Sequence, residues 1–217
     1  TRVRSSAASD VYKRQGDILL SLIALIILSP LLLLTALLIK IEDRGPVFFR
    51  QKRCTKNGKV FEILKFRSMI VDAEKGGETI PCRTGDPRIT HVGRVIRKLR
   101  IDEFPQIINV LKGDMSIVGP RPERVEHVEA YTKEIPEFSY RLRVKGGLTG
   151  YAQIYGKYNT SPYDKLRLDL QYIEKQSLLM DLKLILLTVK IMFVPESTEG
   201  FTQKRSEQIT EEAKSKR

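Results

Sequence analysis

The chain has few residues of the kind that bind transition metals or form covalent cross-links. Among its 217 residues there are two cysteines, two histidines and no tryptophan. Cys54 and Cys82 do not have the spacing of metal ligands, and His91 and His127 do not complete such a set. A zinc site and a disulfide framework therefore have little support, and the cysteine content is compatible with a reducing compartment.

Aromatic residues are also scarce, whereas positive charge is abundant. Phe, Trp and Tyr make up 7% of the chain, and the formal net charge is +12. Such a charge indicates a polyanionic partner, which can be a nucleic acid, an anionic membrane surface or a phosphorylated substrate. Modules that bind single-stranded nucleic acid interleave aromatics with basic patches. Because that interleaving is sparse here, we expect no nucleic-acid partner.

No charged residue occurs in the 22 residues from Ile18 to Ile39. As a straight helix this segment would be about 33 Å long, close to the thickness of the hydrocarbon core. Cations flank both ends, and positive flanks prefer the cytoplasmic side. Ser29 and Pro30 lie near the middle, where a proline kinks a helix and a serine hydroxyl can satisfy a freed carbonyl. A kinked span and a re-entrant helix that bends at Ser29 and Pro30 are both open on these grounds.

Two strand-like runs follow the apolar segment. Residues 47–49 and 60–66 are separated by Asn57-Gly58, a pair that favours a tight turn with positive φ. In the second strand, Lys65 and Arg67 would lie on the same face. Two cations on one face suit an anion site, and a solvated strand face is an equally good interpretation.

The most distinctive polar pattern of the chain is a basic run that ends in two adjacent carboxylates. From Arg88 to Arg100 there are five Lys or Arg and no acid, and Asp102 and Glu103 then precede Pro105. Pro105 is suited to opening a helix, which places both carboxylates near a helix N-terminus, where carboxylates and phosphates are favoured. Taken alone, the pattern is more simply explained as two capping carboxylates beside a solvated basic face.

Three later segments add to this picture. Pro120 and Pro122 fix the backbone around Arg121, and a guanidinium held in this way suits a phosphate. Residues 145–150 contain three glycines, as phosphate-cradling loops do, although they match neither a Walker nor a dinucleotide fingerprint. Residues 178–194 are apolar but carry charges, which favours an amphipathic interfacial helix or a core helix over a span.

Together, these motifs resemble the bacterial sugar transferase family, the monotopic phosphoglycosyl transferases, over about residues 12–195. Each motif is modest, but their order and spacing are specific. The segment 156–160 is similar to that of exopolysaccharide-type members. The matching segments are Ser29-Pro30, residues 45–49 with Gln51 and Arg53, residues 65–69, 86–90 through 102–106, 109–116, 119–122, and 148–150 with Ala152-Gln153.

The resemblance implies an enzyme that moves a sugar 1-phosphate from a UDP-sugar to a polyprenyl phosphate, usually undecaprenyl phosphate. This releases UMP and starts exopolysaccharide or other glycan assembly at the cytoplasmic face of the bacterial inner membrane. Asp102 would be the nucleophile of a covalent phosphosugar intermediate, with Glu103 as general base or metal-site partner. Mg²⁺ is implied at Asp102 and Glu103, and the surrounding cations are expected to keep Asp102 ionised. The implied substrate-binding residues are Lys65, Arg67, Arg97, Pro120, Arg121 and Pro122.

We therefore expect an α+β, mostly helical fold with an N-terminal re-entrant membrane helix-break-helix, a small β-hairpin and interfacial amphipathic helices. The expected partners are a UDP-sugar, a polyprenyl phosphate and the lipid bilayer. The sugar and the oligomeric state stay open, a homodimer being one assembly that the sequence allows. Two alternatives also stay open: a non-catalytic membrane-tethered basic binding module, and an integral protein with one span and a structural domain. The expected divisions are an unstructured or foreign leader 1–11, the re-entrant helix 12–44, a cytoplasmic catalytic domain with membrane-interface helices 45–195, and a basic mixed-charge tail 196–217.

Overall fold

The computed structural model describes residues 7–71, 73, 85–156 and 160–192. Most of the predicted leader, much of the loop between the hairpin and the basic run, and the predicted tail lie outside these residues. The fold is α+β and mostly helical, which confirms the prediction. The helices are α1 Ala7–Asp43, α2 His91–Lys98, α3 Gln106–Lys112, α4 Val125–Glu134, α5 Tyr151–Tyr155, α6 Pro162–Lys175 and α7 Leu178–Met192; the strands are β1 Phe48–Cys54, β2 Val60–Phe66, β3 Ser116–Val118 and β4 Gly147–Thr149.

α1 contains the long apolar segment, and within the described residues it is the helix long and apolar enough to cross a membrane. Its middle is not packed against protein, since Ile26, Ile27 and Leu33 are each at least 70% exposed. Apolar side chains left in this state in a folded chain mark a surface that contacts lipid or another protein.

The predicted break at Ser29 and Pro30 does not interrupt the helix. Pro30 lies inside α1, and it has no N–H to donate to the carbonyl of Ile26, one turn earlier. Ser29 Oγ donates to that same carbonyl at 2.8 Å. The acceptor that the proline would leave unpaired is therefore satisfied, and the helical backbone continues through this point. The predicted role of the Ser29 hydroxyl is confirmed, whereas the separation into two helices is not; the re-entrant topology stays a prediction.

Both ends of α1 contact the rest of the molecule. Near the N-terminus, Lys13 Nζ lies 2.5 Å from Asp181 Oδ2 of α7, in a largely buried ion pair. Near the C-terminus, Ile39 is buried in a cluster with Phe66 of β2 and Ile96 of α2. The exposed apolar middle of α1 thus lies between two ends that are built into the same folded body.

The predicted hairpin is present. β1 and β2 pair antiparallel, and they are joined through Asn57 and Gly58 with φ of 59° and 73°. This agrees with the prediction of a turn with positive φ. Phe61 and Ile63 are buried, so the face of β2 that also carries Lys65 is not the solvated strand face of the alternative interpretation.

The glycines of residues 145–150 are explained by strand packing. β4 pairs in parallel with β3, and the chain beyond β3 comes very close to it. A Cβ on Gly147 would lie 2.1 Å from the nitrogen of Gly119, and one on Gly150 would lie 2.1 Å from the carbonyl oxygen of Gly119. Any side chain at these two positions would displace the backbone of Gly119. The predicted phosphate-cradling loop is therefore not needed to account for these residues.

α7 has one apolar face in the core and another on the surface. Leu184 is fully buried, whereas Leu179, Leu182 and Leu186 are 81%, 54% and 62% exposed. The helix thus combines the two predicted alternatives: it is a core helix on one side and presents an apolar, charge-flanked face on the other.

Candidate active site

The two adjacent carboxylates lie in a short connection between α2 and α3. Arg100 adopts a left-handed conformation (φ 55°), and Ile101–Glu103 then form a 3₁₀ turn with Ile101 buried. Pro105 leads into α3 with φ −59°, as the sequence predicts. The connection is short and fixed on both sides, so it holds Asp102 and Glu103 in place relative to the two helices.

Thr90 and Gly113 set the outer limits of this unit. Thr90 Oγ1 accepts a hydrogen bond from the Gly93 nitrogen at 2.9 Å and caps α2. Gly113 ends α3 with φ 87°, the left-handed conformation of a helix C-terminus. Both residues are of the types that favour these two positions. The apolar face of α2 is only partly buried, because Ile96 is in the core while Val95 and Leu99 are 57% and 51% exposed.

Glu103 forms ion pairs with two cations from different parts of the chain. Its Oε1 lies 2.8 Å from Lys65 Nζ of β2 and 2.5 Å from Arg121 Nη2. Its Oε2 also accepts from Arg121 Nη1 at 3.4 Å. Both oxygens of Glu103 are therefore engaged.

These pairs determine the charge states of the three groups. Burial by itself would raise the pKa of Glu103, but Arg121 and Lys65 more than offset it and hold the pKa well below its usual range. Glu103 in turn raises the pKa of Arg121. Burial lowers the pKa of Lys65 in spite of the Glu103 carboxylate beside it. Glu103 is thus a permanent anion that holds two cations side by side.

Asp102 lies in a different environment from its neighbour. Burial, and next the charge of Glu103, raise its pKa, although Lys65, Arg97 and Arg121 act in the opposite direction. The cations do lower the pKa of Asp102, but burial and the Glu103 charge together outweigh them. That Asp102 is ionised stays a prediction. Within the described residues, the Asp102 carboxylate forms no hydrogen bond or ion pair. The Glu103 carboxylate is therefore fixed by two ion pairs, whereas the Asp102 carboxylate is partly buried and free to react.

The segment Pro120-Arg121-Pro122 is held by its backbone carbonyls. Arg53 Nη1 of β1 donates to the carbonyl of Pro122 at 3.1 Å, and Arg141 Nη2 donates to the carbonyl of Arg121 at 2.9 Å. Two fork-shaped donors thus fix the position from which the Arg121 side chain reaches Glu103.

Behind Arg141 lies a buried charge cluster that the sequence does not indicate. Arg141 and Asp169 have side chains only 2% and 1% exposed, and Nη2 lies 2.7 Å from Oδ2. Glu123 contacts Arg141 at 3.6 Å and Lys165 at 2.8 Å. Arg141 and Asp169 belong to none of the motifs noted above. The one indirect signal for Asp169 is an acid on the Leu166–Ile173 face of α6, opposite its solvent side.

The structure brings together Asp102, Glu103, Lys65, Arg121 and the two prolines that flank it, with Arg97 close enough to affect the Asp102 pKa. Arg67 is the exception among the predicted site residues. Its guanidinium forms a bidentate ion pair with Asp43 at the end of α1. A Cβ on Gly45 would lie 2.4 Å from Arg67 Nη1, so a glycine is needed to make room for this pair. Arg67 therefore anchors α1, and its position just beyond the end of β2 explains why it does not face the carboxylates.

Of the two carboxylates predicted to bind Mg²⁺, only Asp102 has an oxygen that can serve as a ligand. The described residues contain no cluster of three or more His, Cys, Asp or Glu that could bind a metal. Mg²⁺ needs less, because it is commonly held by one or two carboxylates together with substrate phosphates and water. Asp102 can supply one such oxygen. Glu103 does not fit as a ligand, because its oxygens are paired with Lys65 and Arg121.

Comparison with known proteins places this arrangement in a family context. The family model described as bacterial sugar transferase matches residues 8–195. A UDP-N-acetylgalactosamine-undecaprenyl-phosphate N-acetylgalactosaminephosphotransferase from Aeromonas hydrophila is 46% identical over 82% of this chain and 43% of its own length. A UDP-glucose:undecaprenyl-phosphate glucose-1-phosphate transferase from Caulobacter vibrioides is 42% identical over 88% of this chain and 73% of its own length. An uncharacterised sugar transferase from Bacillus subtilis is 38% identical over 92% of this chain and 96% of its own length. The chain thus spans less than half of the first of these relatives.

Proposed function

The chain belongs to the bacterial sugar transferase family, and from this premise we propose that it transfers a sugar 1-phosphate from a UDP-sugar to polyprenyl (undecaprenyl) phosphate. The names of the Aeromonas and Caulobacter relatives describe such transfers, with different sugars. The observation on which the proposal depends is the Asp102 carboxylate, partly buried and without a bonding partner among the described residues, beside a pair of fixed cations.

Asp102 is the nucleophile of the proposed reaction. One carboxylate oxygen attacks the β-phosphorus of the UDP-sugar, and the bond from that phosphorus to the bridging oxygen breaks. UMP leaves with the bonding electrons, and an acyl phosphate joins Asp102 to the sugar phosphate. An oxygen of the polyprenyl phosphate then attacks the same phosphorus, releases Asp102 as a carboxylate and forms the lipid diphosphosugar. A raised pKa favours this role, because a more basic carboxylate is a stronger nucleophile.

Glu103 serves as a counter-ion in this proposal and not as the general base that the resemblance implies. A carboxylate with a strongly lowered pKa is a poor proton acceptor at neutral pH, and both of its oxygens are already engaged. It holds Lys65 and Arg121 side by side, where both can bind the oxygens of a diphosphate. Such preorganised charges stabilise the negative charge that develops on the leaving phosphate.

Mg²⁺ has a limited place in this site. Asp102 would contribute one oxygen ligand, and the diphosphate of the substrate and water would provide the others. When bound, the ion supplies Lewis-acid stabilisation of the phosphate oxygens. The residues of the chain bind and orient the substrate phosphates through Lys65, Arg97 and Arg121.

We also propose that α1 is re-entrant, with both ends on the cytoplasmic face. A perpendicular span would separate its two ends by the thickness of the bilayer. Here Lys13 and Ile39, near opposite ends, both contact the same folded body. The exposed apolar faces of α1 and α7 would then lie in the lipid. Side-specific labelling of cysteines introduced near Asp10 and near Lys59 tests this: labelling from one side supports re-entry, and labelling from opposite sides refutes it.

The transfer is tested by withholding the lipid acceptor. A UDP-sugar labelled in the sugar should leave label on the wild-type protein, and polyprenyl phosphate should then remove it. Asp102→Asn should abolish both labelling and UMP release, while Asp114→Asn, which loses a pair with the exposed Lys59, should retain them. Near-wild-type turnover by Asp102→Asn would refute the assignment of the nucleophile. If no UDP-sugar in a panel yields UMP, the protein is better described as a binding module.

A further inference from the structure

The end of α1 nearest the hairpin caps the helix that precedes the Asp102 segment. Glu42 Oε1 accepts a hydrogen bond from the backbone nitrogen of His91 at 2.6 Å, and Oε2 accepts one from Val92 at 3.2 Å. Together with Thr90, which takes the next nitrogen, this satisfies three of the four N–H groups that a helix N-terminus leaves unpaired. A carboxylate is also the charge that this end of a helix favours.

The opposite end of α1 caps the helix that follows the Asp102 segment. Arg14 Nη1 donates to the carbonyl of Val110, and Nη2 donates to the carbonyl of Leu111, both at 2.6 Å. These carbonyls lie in the last turn of α3, where acceptors are left unpaired and a cation is favoured. A guanidinium is suited to such a double contact because its donors are held in a fixed fork.

We propose that Glu42 and Arg14 are positioning residues that hold Asp102 in its reactive position by fixing the two helices on either side of it. The catalytic consequence rests on the function proposed above; the structural part does not. Between Lys98 at the end of α2 and Gln106 at the start of α3 there is only the short 3₁₀ connection. A displacement of α2 relative to α3 is therefore transmitted to Asp102.

The same helix makes this arrangement sensitive to the membrane. The residues between Arg14 and Glu42 form the apolar part of α1, whose middle is exposed. Ile39 adds a packing contact to Ile96 of α2 and Ile101 of the 3₁₀ turn. The position of α1 thus determines where the two caps lie, and through them the geometry of the site.

The test compares a conservative and a more disruptive variant of each cap with controls on the same helix. Glu42→Gln and Glu42→Ala remove one or both acceptors, and Arg14→Lys and Arg14→Met remove one or both donors. Asp10→Asn and Lys40→Gln are the controls, because they neutralise exposed α1 residues: Asp10 pairs with Lys56, and Lys40 donates to the carbonyls of Arg44 and Gly45. Hydrogen exchange of peptides from 91 to 105, kcat, the KM for the UDP-sugar and the thermal midpoint are measured on the full chain in lipid nanodiscs.

We expect faster exchange in 91–105 for both Glu42 variants, with a smaller effect for Glu42→Gln. We expect kcat to fall by about 10- to 100-fold, the loss that a displacement of about 1 Å produces, with KM changed less than about twofold. The Arg14 variants should follow the same order. The double variant Glu42→Gln/Arg14→Lys should lose less in kcat than the product of the single losses, because both act on one segment.

Three results would overturn the proposal. The first is exchange in 91–105 equal to that of the control variants. The second is a kcat of Glu42→Gln, the conservative variant that is expected to fold, equal to the kcat of the control variants. The third is a rise in KM in place of the fall in kcat. An inactive wild type would refute the proposed function alone, and the exchange measurement would still decide whether Glu42 and Arg14 fix the segment.

Discussion

Asp169→Ala is expected to destabilise the protein strongly, although Asp169 lies outside every motif of the sequence. The carboxylate is 1% exposed and pairs at 2.7 Å with Arg141, itself 2% exposed. Removing one partner of such a pair leaves a buried charge uncompensated, which typically costs about 3–5 kcal/mol. Glu123 still contacts Arg141 at 3.6 Å, so we expect the lower part of that range.

This loss converts into a measurable shift in the melting temperature. For a protein of this size, each kcal/mol lowers the midpoint by about 2–4 °C, so Asp169→Ala should melt roughly 6–12 °C below the wild type. The measurement is thermal unfolding in one detergent at one lipid ratio. Asp164→Ala on the same helix loses an exposed contact with Arg167 and the hydrogen bond that Ser161 Oγ donates to Asp164 Oδ2. It should cost no more than about 1–2 kcal/mol and serves as the control.

A double replacement separates stability from substrate binding. Arg141→Met with Asp169→Leu removes both charges and fills the space, which in other proteins is close to neutral for stability. The carbonyl of Arg121 nevertheless loses its donor, so we expect the KM for the UDP-sugar to rise by about fivefold, the equivalent of one hydrogen bond of about 1 kcal/mol. A midpoint for Asp169→Ala within 2 °C of the wild type would refute this reasoning, as would a double variant that recovers stability and keeps the wild-type KM.

Three further predictions concern single residues. Burial would raise the pKa of Glu123, but Lys165 and Arg141 outweigh it and lower the pKa from 4.5 to about 2. The ionised carboxylate therefore contributes roughly 3 kcal/mol to the unfolding free energy above pH 4.5, and this contribution is lost as the pH falls toward 2. The unfolding free energy of Glu123→Gln should depend less on pH in this range than that of the wild type. Glu103 raises the pKa of Asp102, so Glu103→Gln should shift the acidic limb of the pH profile of kcat/KM to lower pH. If Glu103 were instead the general base, the same substitution would remove this limb. Ser29→Ala should lower the unfolding free energy by about 1 kcal/mol because the Ile26 carbonyl loses its donor, and Ser29→Thr should retain it; equal midpoints for both variants would contradict this.

The parts of the fold that depend on local chemistry were predictable from the sequence. The absence of charge predicts α1, Asn57-Gly58 predicts the hairpin turn, and Thr90 and Gly113 predict the limits of the α2–α3 unit. The order of the motifs also brings Lys65, Arg121 and the two carboxylates into one site. In each case a short stretch of chain contains the information, because caps, turns and hydropathy act over a few residues.

What could not be predicted depends on contacts between distant residues. Arg67 was expected to bind substrate, but it pairs with Asp43, a residue whose role is set by where α1 ends. The pKa of Asp102 is raised by burial and next by the charge of Glu103, and residue spacing reveals neither the burial nor the net effect. Arg141 and Asp169 are 28 residues apart, and nothing in either local sequence indicates that they meet. The glycines at 147 and 150 are compatible with a phosphate loop and equally with a close backbone neighbour, so the sequence pattern does not distinguish the two.

The way α1 is built into the molecule limits how this protein can be handled. Ile39 contributes to the core, and the two termini of α1 supply partners for the ends of α2 and α3. A truncated version without the apolar N-terminal helix α1 would also lose part of its hydrophobic core. Attempts to obtain a water-soluble protein by such a deletion should therefore yield an unstable chain, and solubilisation has to keep the helix intact.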